Sequence, residues 1–264
     1  MRKLLFLDID GTIWDYKNFI PESTGKAIAQ ARKNGHLVFL NSGRSRAFIR
    51  ERNLLALGFD GIISGCGTMI EYEGETIFYR NFKQEEVFRI LETTKKYNIR
   101  VILEGRKYLY ANREEYMGDP NDGYYVEKIA AELKDDLKPL TGNKEGYDIQ
   151  KFSCSVYGCD TEGFMKELAE DYDFIIHNDV VMEVVPKGYN KGTAIKKVCE
   201  LLNTDIDDTI SFGDSINDKE MLQAAGIGVV MGNGTDKAKE YADFVTTDLL
   251  DDGIMNAMKH LGLI

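Results

Sequence analysis

The stretch Lys3-Leu4-Leu5-Phe6-Leu7-Asp8-Ile9-Asp10-Gly11-Thr12, residues 3–12, runs a hydrophobic segment into two carboxylates placed two positions apart. Lys3 to Leu7 reads as a β-strand. Side chains two apart on a strand share a face roughly 6 to 7 Å apart, so Asp8 and Asp10 both project from its end. At an effective dielectric near 20, two carboxylates ~6 Å apart repel by about 3 kcal/mol. Something must offset that repulsion, and two explanations stay open on these residues alone. Asp-Gly is a common turn pair, which makes both acids solvated turn formers. Alternatively a divalent cation lies between them, a reading that gains force only if other polar groups converge on the same point.

Outward from this strand, short β-rich runs alternate with helical patterns, the signature of a mostly parallel sheet covered by helices. A helix is expected over 22–34, a strand over 36–40, a helix over 46–57 and a strand over 61–64. A hairpin follows, with strands 69–72 and 76–79 about Glu73-Gly74-Glu75. The same alternation resumes late, with helices at 191–202, 218–224, 237–241 and 251–260 and strands at 209–212 and 227–230. The middle is richer in Tyr, Lys and Glu, with helices near 84–97, 124–133 and 162–170 and strands at 100–103, 108–111, 149–155, 174–177 and 181–184. A segment of that length holds a core of its own. The expected organisation is an α/β core formed by 1–82 and 187–264, with a second α/β domain, 83–186, inserted into it.

Composition narrows the function. The 264 residues are 43% hydrophobic and 29% charged, which is that of a folded chain. A formal net charge of -11 argues against a surface for nucleic acid or anionic membrane, since such binding runs on clustered Lys and Arg. The apolar run after Met1-Arg2-Lys3 ends at Asp8, short of a signal-peptide core, and no stretch approaches the ~20 apolar residues of a membrane span. Cys66, Cys154, Cys159 and Cys199 show no zinc spacing, and a chain this long needs no disulfide staples. A cytoplasmic location is expected.

In open α/β sheets, ligands sit outside the carboxyl ends of the strands. Three expected strands end in polar chemistry: Asp8-x-Asp10-Gly11-Thr12, Asn41-Ser42-Gly43-Arg44, and Gly213-Asp214-Ser215-Ile216-Asn217-Asp218. Ser42-Gly43-Arg44 precedes a helix, either as an ordinary N-cap or as backbone N–H groups and a hydroxyl facing an anion. Three acids at one point call for a cation, and hard oxygen ligands in such number suit Mg²⁺. In Asn190-Lys191-Gly192-Thr193, Asn190 reads as an N-cap, which puts Lys191 in a first turn whose dipole disfavours a cation by roughly 0.3 to 1 kcal/mol. Lys191 is a solvated surface residue, or it faces an anion.

Asp8-Ile9-Asp10-Gly11-Thr12, Ser42-Gly43-Arg44, Lys191-Gly192 and Gly213-Asp214-x-x-Asn217-Asp218 resemble, in order and spacing, the four motifs of the haloacid dehalogenase-like phosphohydrolases. The inserted domain resembles the α/β cap of the Cof-type branch. The resemblance covers the whole chain, with Ser42 standing where many relatives carry Thr. It implies a Rossmann-like, mostly parallel sheet core with an inserted α/β cap. It implies Asp8 as nucleophile, forming an aspartyl-phosphate, and Asp10 as the acid that protonates the leaving alcohol and later activates water. Mg²⁺ would be held by the Asp8 carboxylate, the Asp10 main-chain carbonyl and the Asp214 carboxylate. Ser42, Gly43, Lys191 and Asn217 would bind the phosphoryl group, with Asp218 orienting Lys191, and Thr12 and Arg44 behind the contacting residues.

The physics runs alongside. A carboxylate attacking a phosphate dianion meets repulsion, which a cation, Lys191 and helix N-termini offset. Asp10 must hold a proton while Asp8 is ionised, and a less coordinated Asp10 side chain is expected to keep one. Arg44 is left between substrate contact and a structural ion pair, and Trp14 between a gate and core packing. Arg106, Tyr108, Tyr110, Tyr124 and Tyr125 of the inserted domain are open to substrate contact. Gly65-x-Gly67 lacks the third glycine of a dinucleotide loop, and Asn233-Gly234-Thr235 matches a glycosylation acceptor by chance. The leading expectation is a Mg²⁺-dependent phosphatase of small phosphorylated metabolites, such as sugar phosphates, whose cap closes to exclude water. It would act as a monomer or weak homo-oligomer. A phosphotransferase or mutase, and a phospho-Asp sensor, are the alternatives.

Overall fold

In the computed structural model, which describes residues 2–116, 123–140, 146–156, 158–177 and 181–264, Leu4–Leu7 is buried at every residue. Such a strand has no solvent face and belongs in the middle of a sheet covered on both sides. In chain order the strands are β1 (Leu4–Leu7), β2 (Leu37–Asn41), β3 (Gly61–Ser64), β4 (Met69–Tyr72), β5 (Glu75–Tyr79), β6 (Arg100–Glu104), β7 (Leu109–Tyr110), β8 (Leu137–Lys138), β9 (Lys151–Ser155), β10 (Tyr172–His177), β11 (Val181–Pro186), β12 (Thr209–Gly213), β13 (Ile227–Val230) and β14 (Phe244–Val245). The helices are α1 (Glu22–Lys33), α2 (Arg52–Leu55), α3 (Gln84–Lys96), α4 (Gly123–Leu133), α5 (Thr161–Leu168), α6 (Lys191–Leu202), α7 (Lys219–Ala224), α8 (Asp236–Lys239) and α9 (Gly253–His260). Among the described residues no helix is long and apolar enough to cross a membrane.

The chain forms two compact units, one of Met1–Arg44, Arg50–Phe78 and Asn190–Ile264, the other of Ser45–Ile49 and Tyr79–Tyr189. The first is built on the sheet β14-β13-β12-β1-β2-β3-β4-β5. Its pairs from β14 to β3 are parallel and β3–β4 is antiparallel. Leu4 and Phe6 of β1 pack with Phe39 and Ile63 against Ala194, Ile195 and Val198 of α6 and Met221 of α7. Leu5 and Leu7, pointing the other way, are equally buried. Between β4 and β5, Glu73 (φ 50°) and Gly74 (φ 83°) both take the left-handed region, the backbone of a type I′ hairpin turn. Gly67 has a packing reason: a Cβ there would come within 2.7 Å of the Ala194 Cβ.

The second unit is the sheet β10-β11-β9-β6-β7-β8, whose strands β6 and β9 are buried on both faces. Val101, Leu103, Phe152, Cys154, Met182 and Val184 share a core with Val87 and Ile90 of α3 and Phe164 and Leu168 of α5. The opposite face carries a buried charge cluster. Lys151 pairs across the sheet with Glu104, its ammonium 3.9 Å from the Glu104 carboxylate and bonded to Glu183.

The helix expected over 46–57 is corrected. The segment is a 3₁₀ turn at Arg46–Phe48 and a separate α2 at Arg52–Leu55, with the backbone extended at Glu51 (ψ 123°). Ala47 is buried with Ile102, Leu109 and Ala111, so packing of Ser45–Ile49 into the second unit overrides a periodicity that reads as one helix.

Candidate active site

The sheet order puts β1 between β12 and β2, so the residues after these three strands share one rim. Asp8 follows β1 directly, donating its N–H to Phe212 O (3.0 Å). Gly11 turns the chain at φ +79°, and a Cβ there would meet Asp214 Oδ2 at 2.3 Å. Only a residue without a side chain lets the first loop close on the third. After β2, the Ser42 hydroxyl, buried, accepts the Arg44 N–H (3.1 Å), with Gly43 half-buried between them.

Asn190 caps α6, its Oδ1 accepting from Gly192 N–H (2.9 Å) and Thr193 N–H (2.8 Å). The cap starts the helix one residue before Lys191, whose side chain is only 7% exposed. Its ammonium lies 2.6 Å from Asp8 Oδ1 and 2.6 Å from Asp218 Oδ1. Burial pushes the Lys191 ammonium toward neutrality, but Asp218 and Asp8 outweigh it and hold it well above the lysine range. Asp218 is fully employed, since its Oδ2 accepts the N–H groups of Asp214 (2.9 Å) and Ser215 (3.1 Å). That makes it a strut between the loop after β12 and Lys191. Asn217 precedes it, half-buried in the 3₁₀ turn Ile216–Asp218.

Asp8, Asp214 and Asp218 bring ligand atoms within 4.8 Å of one another. One ammonium set against three carboxylates leaves two negative charges uncompensated in a buried site. Burial, with Asp218 pushing the same way and Lys191 opposing, drives Asp8 up to about 8. Burial and Asp218 likewise drive Asp214 up to about 7. Among the described residues Asp214 Oδ1 is buried without a hydrogen-bond partner, as is Thr12 Oγ1. An orphaned carboxylate oxygen beside two more acids fits a hard divalent cation, which would favour the charged forms and reverse both shifts.

Asp10 departs from expectation. Its carboxylate is held by Arg44 through Nε (2.8 Å) and Nη2 (2.7 Å) and by Trp14 Nε1 (2.9 Å). The Arg44 guanidinium also lies over the Trp14 ring. Burial pulls the Asp10 carboxyl upward, but the Arg44 bonds, the Arg44 charge and Trp14 prevail and hold it below the usual carboxylate range. The expectation that Asp10 is loosely held is therefore corrected: it is ion-paired to Arg44, which favours its charged form. Arg44 is the partner in that pair, with Glu51 3.8 Å away. Trp14 is both fully buried and in contact with an acid of the site.

Two asparagines complete the rim without having been singled out. Asn41, fully buried at the end of β2, donates to Lys191 O (3.0 Å). Asn233 donates to Gly11 O (2.8 Å). A buried Asn closing the apolar run Leu37-Val38-Phe39-Leu40 was the available signal for the first, since such a residue must find partners. In the second unit, Arg106 pairs with Asp148 (3.3 Å), and Tyr108 and Tyr110 meet edge to face. The side chains of Tyr124 and Tyr125 lie outside the described residues.

A mostly parallel sheet with an inserted, mostly antiparallel domain, and acids gathered with a lysine at the strand ends, define a class found among known proteins. A family model described as haloacid dehalogenase-like hydrolase matches residues 5–258. Putative phosphatase YkrA of Bacillus subtilis (strain 168) is 36% identical over 265 residues, 99% of this chain and 98% of that one. The 5-amino-6-(5-phospho-D-ribitylamino)uracil phosphatase YcsE of the same bacterium is 27% identical, covering 98% of this chain and 95% of its own. Among solved structures, the HAD subclass IIB sugar phosphatase BT4131 is similar with a TM-score of 0.79 at 28% identity, covering 99% of this chain and 100% of that one. The chain belongs to the haloacid dehalogenase-like hydrolases. Within that family it is an enzyme, a phosphoric monoester hydrolase.

Proposed function

We propose that the protein is a Mg²⁺-dependent phosphatase that hydrolyses small phosphorylated metabolites through an aspartyl-phosphate on Asp8. The observation that carries the reading is the charge imbalance: among the described residues one ammonium, Lys191, is bonded to Asp8 and Asp218 with Asp214 close by, and Asp214 Oδ1 has no partner. Asp8, Asp214 and the Asp10 main-chain carbonyl would hold Mg²⁺. When bound, the ion neutralises the carboxylates and the phosphoryl oxygens, so that anion can approach anion.

The chain's own residues then divide the work. Asp8 attacks phosphorus; an Asp8 Oδ–P bond forms and the bond to the leaving alkoxide breaks. Ser42, the Gly43 backbone, Lys191 and Asn217 bind the transferring group, with Asp218 steering Lys191. Asp10, once off Arg44, takes a proton from solvent, gives it to the leaving oxygen and afterwards takes one from the water that cleaves the acyl phosphate. Because Asp10 rests on Arg44, it must first leave the guanidinium, and that release raises its proton affinity. Relatives named for a phosphorylated ribityl compound and for sugar phosphates support a polyhydroxylated phosphomonoester as substrate.

The test is phosphate release from a panel of phosphorylated sugars, polyols and nucleotides, with and without chelator, for wild type and Asp8→Asn. Asp8→Asn removes charge and nucleophilicity with little change in volume, so turnover should vanish while the fold persists. Retention of more than about a tenth of wild-type turnover, or full activity in EDTA, would exclude the scheme, given that losing a nucleophile costs orders of magnitude.

A further inference from the structure

We propose that Asn233 is a positioning residue for the cation site: its amide fixes the Asp10-Gly11 backbone against Asp214 and thereby sets the affinity for Mg²⁺. The inference rests on the reading of Asp8, Asp10 and Asp214 as cation ligands. Asn233 lies in the loop that follows β13. That loop is stitched to the end of β12 by Met231 N–H on Gly213 O (3.0 Å) and Thr235 N–H on Asp214 O (2.8 Å). From the same loop the Asn233 amide reaches the other side of the site, donating through Nδ2 to Gly11 O (2.8 Å). Its Oδ1 accepts the Leu249 N–H (2.8 Å). One side chain therefore joins the loops after β1, β13 and β14.

The need for such a clamp follows from Gly11. At φ +79° and without a Cβ, this residue is a swivel that does not restrict its neighbouring peptide planes. The plane before it contains the Asp10 carbonyl, the proposed ligand, and the Gly11 N–H, which bonds to Trp14 O (2.9 Å). The plane after it contains the Gly11 carbonyl, which Asn233 holds. With both planes pinned, the Asp10 carbonyl has one direction. Close approach supports this: a Cβ on Gly234 would come within 2.9 Å of Asp214 O, and one on Gly11 within 2.3 Å of Asp214 Oδ2. Both loops thus press on Asp214, and Asn233 ties them together. Groups that orient ligands from behind are worth about 10–100-fold in metal affinity. The match of Asn233-Gly234-Thr235 to a glycosylation acceptor has no bearing on this role, because both polar ends of the amide are used internally.

The test compares Asn233→Ala with Asn256→Ala, whose amide bonds Thr247 Oγ1 (2.9 Å) and Asp251 O (3.1 Å) on the neighbouring turn without reaching Gly11. Mg²⁺ is titrated calorimetrically into each protein without substrate, and turnover is followed as Mg²⁺ is raised. Asn233→Ala should bind Mg²⁺ about 10-fold more weakly, with kcat recovered and KM unchanged at saturating Mg²⁺, while Asn256→Ala matches wild type. Wild-type Mg²⁺ affinity in Asn233→Ala, or a loss of kcat that Mg²⁺ does not repair, overturns the proposal. If wild type itself takes up no Mg²⁺, the cation reading falls and this inference with it.

Discussion

Replacing Lys191 by Met isolates the charge at the centre of the site, because Met keeps an unbranched stem of similar length and removes the ammonium. That ammonium is 2.6 Å from an oxygen of Asp8 and 2.6 Å from one of Asp218. At an effective dielectric near 20 each contact is about 6 kcal/mol of gross attraction. Desolvation of the buried ions opposes it by several kcal/mol each, and removing one partner of such a cluster costs about 3–5 kcal/mol net. In a domain of this size each kcal/mol moves the melting temperature by roughly 2–4 °C, so Lys191→Met should melt about 6–20 °C below wild type near neutral pH. Turnover should fall by about 10²–10³, the usual consequence of losing a donor aimed at developing charge. Millimolar Mg²⁺ should return part of the melting temperature, since in the proposed scheme the cation supplies positive charge to Asp8 and Asp214. It should return no turnover, since it does not replace the proposed contact of Lys191 to the transferring group. The assay is calorimetric melting with and without Mg²⁺ beside phosphate release at saturating substrate. Melting within about 2 °C of wild type, under 1 kcal/mol, would refute the claim that Lys191 is held by buried charge.

Gly11→Ala should lose at least about 1–2 kcal/mol from the left-handed backbone alone, and weaken the proposed Mg²⁺ binding besides, because the new Cβ would come within 2.3 Å of Asp214 Oδ2; urea unfolding with wild-type stability would contradict the geometry. Glu104 of the second unit carries a carboxyl raised by burial, with Lys151 opposing and Glu183 adding to the rise. A carboxyl whose folded-state pKa is raised binds its proton more tightly folded than unfolded, so wild-type stability should fall as pH rises from the unfolded value near 4.5 toward the folded one. Glu104→Gln removes that fall while leaving Lys151 on Glu183, so it should melt above wild type at alkaline pH and alike in acid; an equal offset at every pH would show that ionisation is not the cause.

Much of the core was legible because its signals are local. The run Leu4-Leu5-Phe6-Leu7 is a strand wherever it sits, Glu73-Gly74 makes its own turn, and Asn190 caps its helix with its own side chain. The places where the reading slipped are those where a distant element decides. Nothing within 46–57 announces a break, which comes from Ala47 packing beside Ile102 and Leu109. Nothing near Asp10 announces that Arg44, thirty-four positions later, will hold it ionised.

The order and chemical identity of Asp8, Asp10, Ser42, Lys191 and Asp214 are written in the chain; residue type pointed to a cation and an anion at one place, and the resemblance those motifs carry supplied the kind of reaction. Which of those groups come near one another depends on the sheet bringing the ends of β12, β1 and β2 side by side. Burial and proximity then set the state of each carboxylate: Asp8 and Asp214 pushed up, Asp10 held down on Arg44. Those quantities depend on separation through space, to which distance along the sequence gives no access.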